Sequence, residues 1–173
     1  MSLGEYIPNS NTKLLLHLNG NSTDSSGNGN NGTDTNITYG LGYGKFGQSI
    51  VKELKVFGQN YVILEHNLKF YQIGKDNNEP IIFGNAAQKH ILNSVNITKA
   101  SAVIVAVNNP ESLHLICEAV GELTHNSKTI VTVTDEAEKR SLKGLKIGHI
   151  IVETNQIARA VVDEILYCRL DNH

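Results

Sequence analysis

From residue 37 onward, apolar residues fall into short continuous runs separated by segments of helical periodicity. Such runs are typical of strands buried on both faces of a parallel sheet. The runs predict six strands, over residues 37–41, 61–64, 81–83, 102–107, 129–133 and 150–152. Because strands and helical segments alternate, right-handed crossovers predict an open, doubly wound parallel sheet with strand order 3-2-1-4-5-6.

Residues with strong preferences for helix ends support this division. Gly58 follows a stripe of Ile50, Val51, Leu54 and Phe57, where a left-handed cap is expected. Further caps are predicted at the starts of three helices. They are Asn109 with Pro110 after it, Asp135, and either Thr154 or Asn155 before a last helix over 157–170.

The chain divides at about residue 36. Residues 19–36 contain no apolar side chain, so this segment is expected to be loop or disorder. We therefore predict a polar, partly disordered or β-like extension over 1–36 and an α/β domain over 37–173. The apolar run 13–18 could also supply the first strand, but it would place the long polar segment between that strand and the next turn. Residues 37–41 are preferred although Gly40 interrupts them.

Composition limits the possible functions. The chain has 173 residues, enough for one domain with a sizeable core, and a net charge of −2 with dispersed Lys and Arg, so no nucleic-acid surface is expected. Cys117 and Cys168 are isolated, which favours a reducing cytosol over a disulfide framework. No run of 18 apolar residues occurs, so we expect a soluble chain. The seven histidines lack metal-ligand spacing, so we expect no metal site.

A glycine motif gives the strongest chemical signal. It has the form G-x-G-x-x-G and comprises Gly42, Tyr43, Gly44, Lys45, Phe46 and Gly47. In a dinucleotide-binding turn the first glycine permits the turn, the second admits a pyrophosphate, and the third lets the helix pack closely. Glu65 follows Gly47 by 18 residues at the end of the second predicted strand, where a carboxylate can bind ribose hydroxyls. The order of these features predicts a Rossmann-like nucleotide site.

Three further loops should meet the glycine turn where the strand order reverses. They follow strands two, three and four and carry His66, Asn85, Ala86, Val107, Asn108 and Asn109. Each has a simpler alternative: Lys45 and His66 could be solvated surface residues, and Asn108 and Asn109 could be helix caps only.

The glycine motif, Ile63 to Asn67, Phe83 to Ala86, Ala106 to Glu111 and Val131 to Asp135 closely resemble the potassium-transport nucleotide-binding domain. This family is also called the regulator-of-potassium-conductance N-domain, and the resemblance covers residues 40–170. It is strongest to the cytosolic tail of glutathione-gated potassium/proton antiporters.

The resemblance implies a cytoplasmic regulatory domain that forms a homodimer, binds NAD(H), AMP, ADP or ATP, and gates a linked membrane transporter. It places phosphate near Gly42, Gly44, Lys45 and Gly47 and ribose near Glu65. It also places the base or second nucleotide half at Asn85, Ala86, Val107 and Asn108. The chain departs from the family where Asn85 replaces the usual Asp, and where Thr132 and Thr134 stand in place of frequent arginines. These departures weaken the expectation of anion or glutathione binding at that edge.

The first 49 residues also resemble the opening of laminin-G/concanavalin-like β-sandwich domains, through the Asn/Gly/Ser-rich loop and Lys45 to Ser49. Fewer than 50 residues cannot close a sandwich. A fused or engineered chimera without retained activity therefore remains an alternative, as does a glycan-binding sandwich.

An enzyme is the remaining alternative, as a fragment of an NAD-dependent oxidoreductase. It would need a proton-transfer residue from a substrate region, and the six strands leave no sequence for one. Tyr71 and Lys75 have the spacing of a short-chain dehydrogenase pair, but they follow strand two, on the adenosine side. We expect no catalytic residues and no enzymatic activity.

Overall fold

Six parallel strands form one sheet in a computed structural model that describes residues 37–125 and 128–170. The strands are β1 (Ile37–Leu41), β2 (Asn60–Glu65), β3 (Ile81–Phe83), β4 (Ala102–Val105), β5 (Thr129–Val133) and β6 (His149–Val152). Their order is β3-β2-β1-β4-β5-β6, and every neighbouring pair is parallel. The predicted fold class and strand order are confirmed. Residues 1–36, including the possible strand 13–18, lie outside the described residues.

A helix follows each strand. The helices are α1 (Lys45–Val56), α2 (Leu68–Asp76), α3 (Lys89–Ser94), α4 (Pro110–Leu123), α5 (Glu136–Ser141) and α6 (Glu153–Leu170), with a 3-10 turn over Ile97–Lys99. The sequence analysis did not assign α2: Gly74 is its only fully buried residue, and Phe70, Tyr71 and Ile73 pack only partly buried against the small core. The predicted caps at Asn109 and Asp135 are confirmed, and Gly58 has φ +63°.

Two predicted boundaries were wrong: the end of β4 and the start of the last helix. β4 ends at Val105 rather than at 107, because its neighbour β1 ends at Leu41, the residue opposite Val105; the Ala106 amide still donates a 2.9 Å hydrogen bond to the Leu41 carbonyl. The last helix needs no cap from Thr154 or Asn155, since β6 ends at Val152 and α6 begins at Glu153 without a connecting loop.

β1 occupies the centre of the sheet despite its glycine. Gly40 lies opposite Ile63 of β2 and Ile104 of β4. Its neighbours Tyr39 and Leu41 are buried on the other face, and the Tyr39 hydroxyl donates a 2.6 Å hydrogen bond to the carbonyl of Val95. The two large side chains therefore stabilise β1, although Gly40 makes its sequence the least typical of a central strand.

The two faces of the sheet pack unequally. On one face, Tyr39, Leu41, Val103 and Val105 contribute to a large core that includes residues of α3 and α4. On the other face, a smaller cluster lies over β2 and β3 beneath α1 and α2; its buried members are Tyr43, Val51, Ile63 and Ile81. None of the described helices is both long enough and apolar enough to cross a membrane.

The two glycines near the end of β1 should respond oppositely to alanine. A Cβ on Gly40 would meet no atom within 4 Å, so Gly40→Ala should raise the free energy of unfolding by about 0.5–1 kcal/mol. A Cβ on Gly42 would lie 2.4 Å from the Ala106 carbonyl oxygen at φ +101°, so Gly42→Ala should lower it by about 2 kcal/mol or more. Urea denaturation of both variants measures the difference. Equal effects of the two substitutions would contradict this account.

Candidate functional site

A cleft of about 340 Å³ opens at the carboxyl edge of the sheet, above the ends of β1, β2 and β4. This is the edge at which the strand order reverses, since β2 and β4 lie on opposite sides of β1. The cleft is lined by Gly42, Gly44, Lys45, Leu64, Glu65, His66, Asn67, Phe70, Gly84, Ala86, Ala106, Val107, Asn108 and Ile116.

The three glycines of the motif have different physical roles. Gly42 adopts φ +101° and passes so close to β4 that a Cβ would lie 2.4 Å from the Ala106 oxygen. A Cβ on Gly47 would lie 2.3 Å from the Gly42 oxygen, so this glycine lets α1 approach the turn. A Cβ on Gly44 would meet no protein atom within 4 Å. The fold therefore requires Gly42 and Gly47, whereas Gly44 leaves free space in the cleft.

Among the described residues, no side chain caps the N-terminus of α1. Asn67, Asn109 and Asp135 cap α2, α4 and α5 with side-chain oxygens. α1 begins after Gly44 with no side-chain cap and no acidic residue in its first turn, as does the shorter α3 after Gln88. The first amide groups of a helix carry partial positive charge and commonly bind anions. The cleft thus has a site that suits a phosphate group.

Glu65 is buried and bonded to two backbone amides. Its Oε2 accepts a 2.6 Å hydrogen bond from the amide of Tyr43, and its Oε1 accepts a 2.7 Å bond from the amide of Asn67. Both bonds are charge-assisted, and each carboxylate oxygen keeps a second lone pair. The carboxylate therefore joins the glycine turn to the loop after β2 while it can still accept a hydrogen bond from a ligand hydroxyl.

Lys45 and His66 stand at the edge of the cleft. Lys45 is exposed in the first turn of α1, and no ion pair links it to a carboxylate of the described residues. The His66 Nδ1 lies 3.6 Å from Glu65 Oε1. The cleft therefore has one lysine beside the α1 terminus and one carboxylate at the end of β2, and the apolar residues Ala106 and Val107 of the loop after β4 also line it.

Eight of the thirteen predicted site residues line the cleft, and five do not. Tyr43 turns its side chain into the small core, and Gly47 packs beneath Gly42. The Asn85 and Asn109 side chains accept hydrogen bonds from the amides of Ala87 and Ser112, as turn and cap residues do. Phe46 faces away, into an apolar groove on the outer side of α1.

Several lining residues were missed by the sequence reasoning. Leu64 and Ala106 lie within predicted strands, near their ends, and Ile116 lies on α4. Phe70 belongs to α2, which was not predicted. Asn67 could have been recognised, because an Asn directly after a strand is a frequent helix cap and its Oδ1 accepts from the amides of Lys69 and Phe70.

Other candidate chemistry lies outside the cleft. Tyr71 on α2 packs edge-on against Phe83, with ring centroids 5.4 Å apart. Thr132 is buried in β5, and its hydroxyl lies 3.4 Å from the Val105 carbonyl oxygen. Cys117 is buried in α4, and burial raises the pKa of its thiol to about 12, so it remains a neutral core residue. Within residues 37–125 and 128–170, no cluster of His, Cys, Asp and Glu could hold a metal ion.

Comparison with known proteins is consistent with the observed fold. The model of the TrkA-N domain family matches residues 41–153, which include the whole glycine motif, Glu65 and the β4 loop. This is the potassium-transport family that the motifs resemble. The resemblance of the first 49 residues to a β-sandwich stays a prediction; 1–36 lie outside the described residues, and 37–49 form β1, the glycine turn and the start of α1.

Similar proteins include K(+) efflux antiporter 1, chloroplastic, of Arabidopsis thaliana. It is 27% identical over 125 residues, which cover 70% of this chain and 10% of that relative. The NAD(P)-binding domain of an exopolyphosphatase-related protein from Archaeoglobus fulgidus superposes with a TM-score of 0.68 at 16% identity, covering 75% of this chain and 97% of that one. The Shewanella denitrificans Kef CTD in AMP-bound form gives 0.57 at 22% identity, covering 77% and 80%. The two structural likenesses establish the fold.

The two bonds to Glu65 give a stability prediction that needs no ligand. Glu65→Gln should lower the free energy of unfolding by about 1–3 kcal/mol, because the amide nitrogen of glutamine would face a backbone N–H that requires an acceptor. Glu53→Gln, on the exposed side of α1, is the matched control and should have little effect. Chemical denaturation compares the two. A Glu65→Gln protein as stable as the control would show that the bonds contribute nothing.

Proposed function

Because the chain belongs to the TrkA-N domain family, we propose that its cleft binds NAD(H) or an adenine nucleotide (AMP, ADP or ATP) and that the bound ligand regulates a potassium transporter. The observation that carries this proposal is the combination at the end of β1: an uncapped α1 terminus, a Gly44 with open space before it, and a buried carboxylate beyond. Phosphate and ribose would occupy these two places.

Each cleft residue has a defined role in this proposal. The amides after Gly44 would donate to phosphate oxygens, and Lys45 would add a positive charge next to them. Glu65 would accept hydrogen bonds from the ribose hydroxyls through its free lone pairs. A 2′-phosphate would bring a second negative charge to this buried carboxylate, so NAD is favoured over NADP.

A sensing role is favoured over catalysis. Among the described residues, the titratable side chains that line the cleft are Lys45, Glu65 and His66. In this proposal all three lie at the phosphate and ribose end. The opposite end, where a nicotinamide or a base would lie, is bordered by Ala106, Val107 and Asn108, which cannot transfer protons at neutral pH. We therefore propose a regulatory domain without enzymatic turnover.

The transporter is proposed from the relatives. The chain spans about a tenth of the length of the Arabidopsis antiporter, so the transported ion and the membrane part belong to the proposal. A cytoplasmic position beside such a membrane part would expose the cleft to cellular nucleotides. Changes in nucleotide occupancy could then alter transport through the domain's contacts with its neighbours.

We also propose a homodimer, supported by two apolar surfaces. α6 exposes Ile157, Val161, Val162, Ile165, Leu166 and Tyr167, each 48–64% accessible. Ile157, Val161 and Ile165 form an apolar stripe along one side of the helix, and Arg159 and Asp163 lie on the opposite side. α1 carries an apolar groove lined by Phe46, Ile50, Leu54 and Phe57. A second copy would offer a matching surface to each, as a two-fold contact requires.

Ligand binding can be tested by thermal shift with NAD, NADH, AMP, ADP and ATP. At about 100 times its dissociation constant, a ligand should stabilise the protein by roughly 2.7 kcal/mol, or about 5–10 °C in melting temperature. Gly44→Ala should melt like the wild type without ligand but lose the shift, since the added methyl group meets no protein atom. The stability control is Gly40→Ala, which should keep the shift. No shift with any nucleotide would refute the proposed function.

The dimer can be tested by light scattering after size-exclusion chromatography. Val161→Glu and Ile165→Glu place a charge in the apolar stripe of α6 and should convert a dimer to a monomer. Arg159→Glu, on the other side of the same helix, is the control and should leave the mass unchanged. A monomeric wild type, or charged variants that remain dimeric, would reject α6 as the interface.

A further inference from the structure

A second buried carboxylate lies behind the glycine turn, outside the cleft. Glu79, in the loop between α2 and β3, is only 8% exposed. It accepts a 2.6 Å hydrogen bond from the Tyr61 hydroxyl through Oε2 and pairs at 2.6 Å with Lys55 Nζ through Oε1. The Tyr43 hydroxyl lies 3.4 Å from the same Oε1. Burying a charged group is costly, so a carboxylate with three partners requires a structural or functional reason.

Tyr43 connects this cluster to the cleft. Its amide donates to Glu65 Oε2 at 2.6 Å, and its carbonyl accepts from Gln48 Nε2 at 3.1 Å. Its ring is buried in the small core, and its hydroxyl lies 3.4 Å from Glu79 Oε1. One residue therefore holds the Glu65 carboxylate with its backbone and reaches the Glu79 carboxylate with its side chain.

We propose that Tyr43 and Glu79 form a positioning pair that fixes the glycine turn, and through it the orientation of the Glu65 carboxylate toward the ribose of the ligand. This inference rests on the proposed nucleotide-binding function. Neither residue touches the ligand. The anchored ring prevents the Gly42–Gly44 segment from rotating, although the two glycines that flank Tyr43 would otherwise allow it.

The chemistry of the cluster suits a permanent anchor. Burial, and next the negative charge of Glu79, raise the pKa of Tyr43; burial, and next the hydrogen bond to Glu79, raise the pKa of Tyr61. Both phenols therefore remain protonated and keep donating at physiological pH. Lys55 supplies the opposite charge from the end of α1, so the cluster links that helix, the turn and the β3 loop.

The test measures both the affinity for AMP and the preference for AMP over 2′,3′-dideoxy-AMP, which lacks the ribose hydroxyls. Tyr43→Phe and Glu79→Gln should bind AMP roughly 3- to 10-fold more weakly by calorimetry, with a similar fall in that preference. Tyr61→Phe is the matched control, because it also removes a bond to Glu79 but does not touch the turn. It should lower the melting temperature and leave the preference unchanged.

The double variant of Tyr43→Phe and Glu79→Gln should lose no more affinity than either single variant, since the two residues act as one unit. If the wild-type protein binds AMP but both single variants keep its ribose preference, the positioning role is overturned and the proposed nucleotide binding stands. The positioning role would also be overturned if Tyr61→Phe reduced the ribose preference as much as Tyr43→Phe and Glu79→Gln do. The cluster would then act only through the overall stability of the fold. Wild-type protein that binds no nucleotide would overturn the proposed function together with this inference.

Discussion

The carboxylate of Glu65, held between two backbone amides, is the contact on which the site depends. It accepts from Tyr43 in the turn after β1 and from Asn67 in the loop after β2. A buried carboxylate would be unfavourable in a cleft wall unless bonded in this way. The bonds at once stabilise the charge and join two loops that the sheet brings side by side. Because both loops follow neighbouring parallel strands, their relative position is as rigid as the β1–β2 pairing itself.

The glycine motif combines two kinds of constraint. Gly42 and Gly47 are needed by the protein alone, since added Cβ atoms would lie 2.4 and 2.3 Å from backbone oxygens. Only Gly44 faces open space, so only this glycine points to a ligand rather than to packing. The motif thus indicates the fold more strongly than it indicates a bound molecule. The uncapped start of α1 and the position of Glu65 supply the independent support for binding.

The sequence predicted the sheet well because its strands are short apolar runs, and even β1 could be assigned once the motif located its end. It predicted the site less well wherever position depends on side-chain direction. Tyr43 lies within the motif, but its ring enters the core beneath α1 and α2, and no local pattern reveals that choice. α2 was missed, and with it the contribution of Phe70, since its apolar residues are only partly buried and Gly74 alone is fully buried. The partners of Glu79 come from three separate segments, which single-sequence periodicity cannot bring together.

α1 contributes residues to both the candidate ligand site and a candidate partner surface. Lys45 faces the cleft, whereas the adjacent Phe46 begins the apolar groove that continues through Ile50 and Leu54. The far end of α1 is tied to the glycine turn through Lys55 and Glu79. A rigid helix held at both ends cannot shift at its phosphate-facing terminus without moving its outer face. α6 follows β6 directly, and its apolar stripe is exposed, so the stripe is accessible to a second copy.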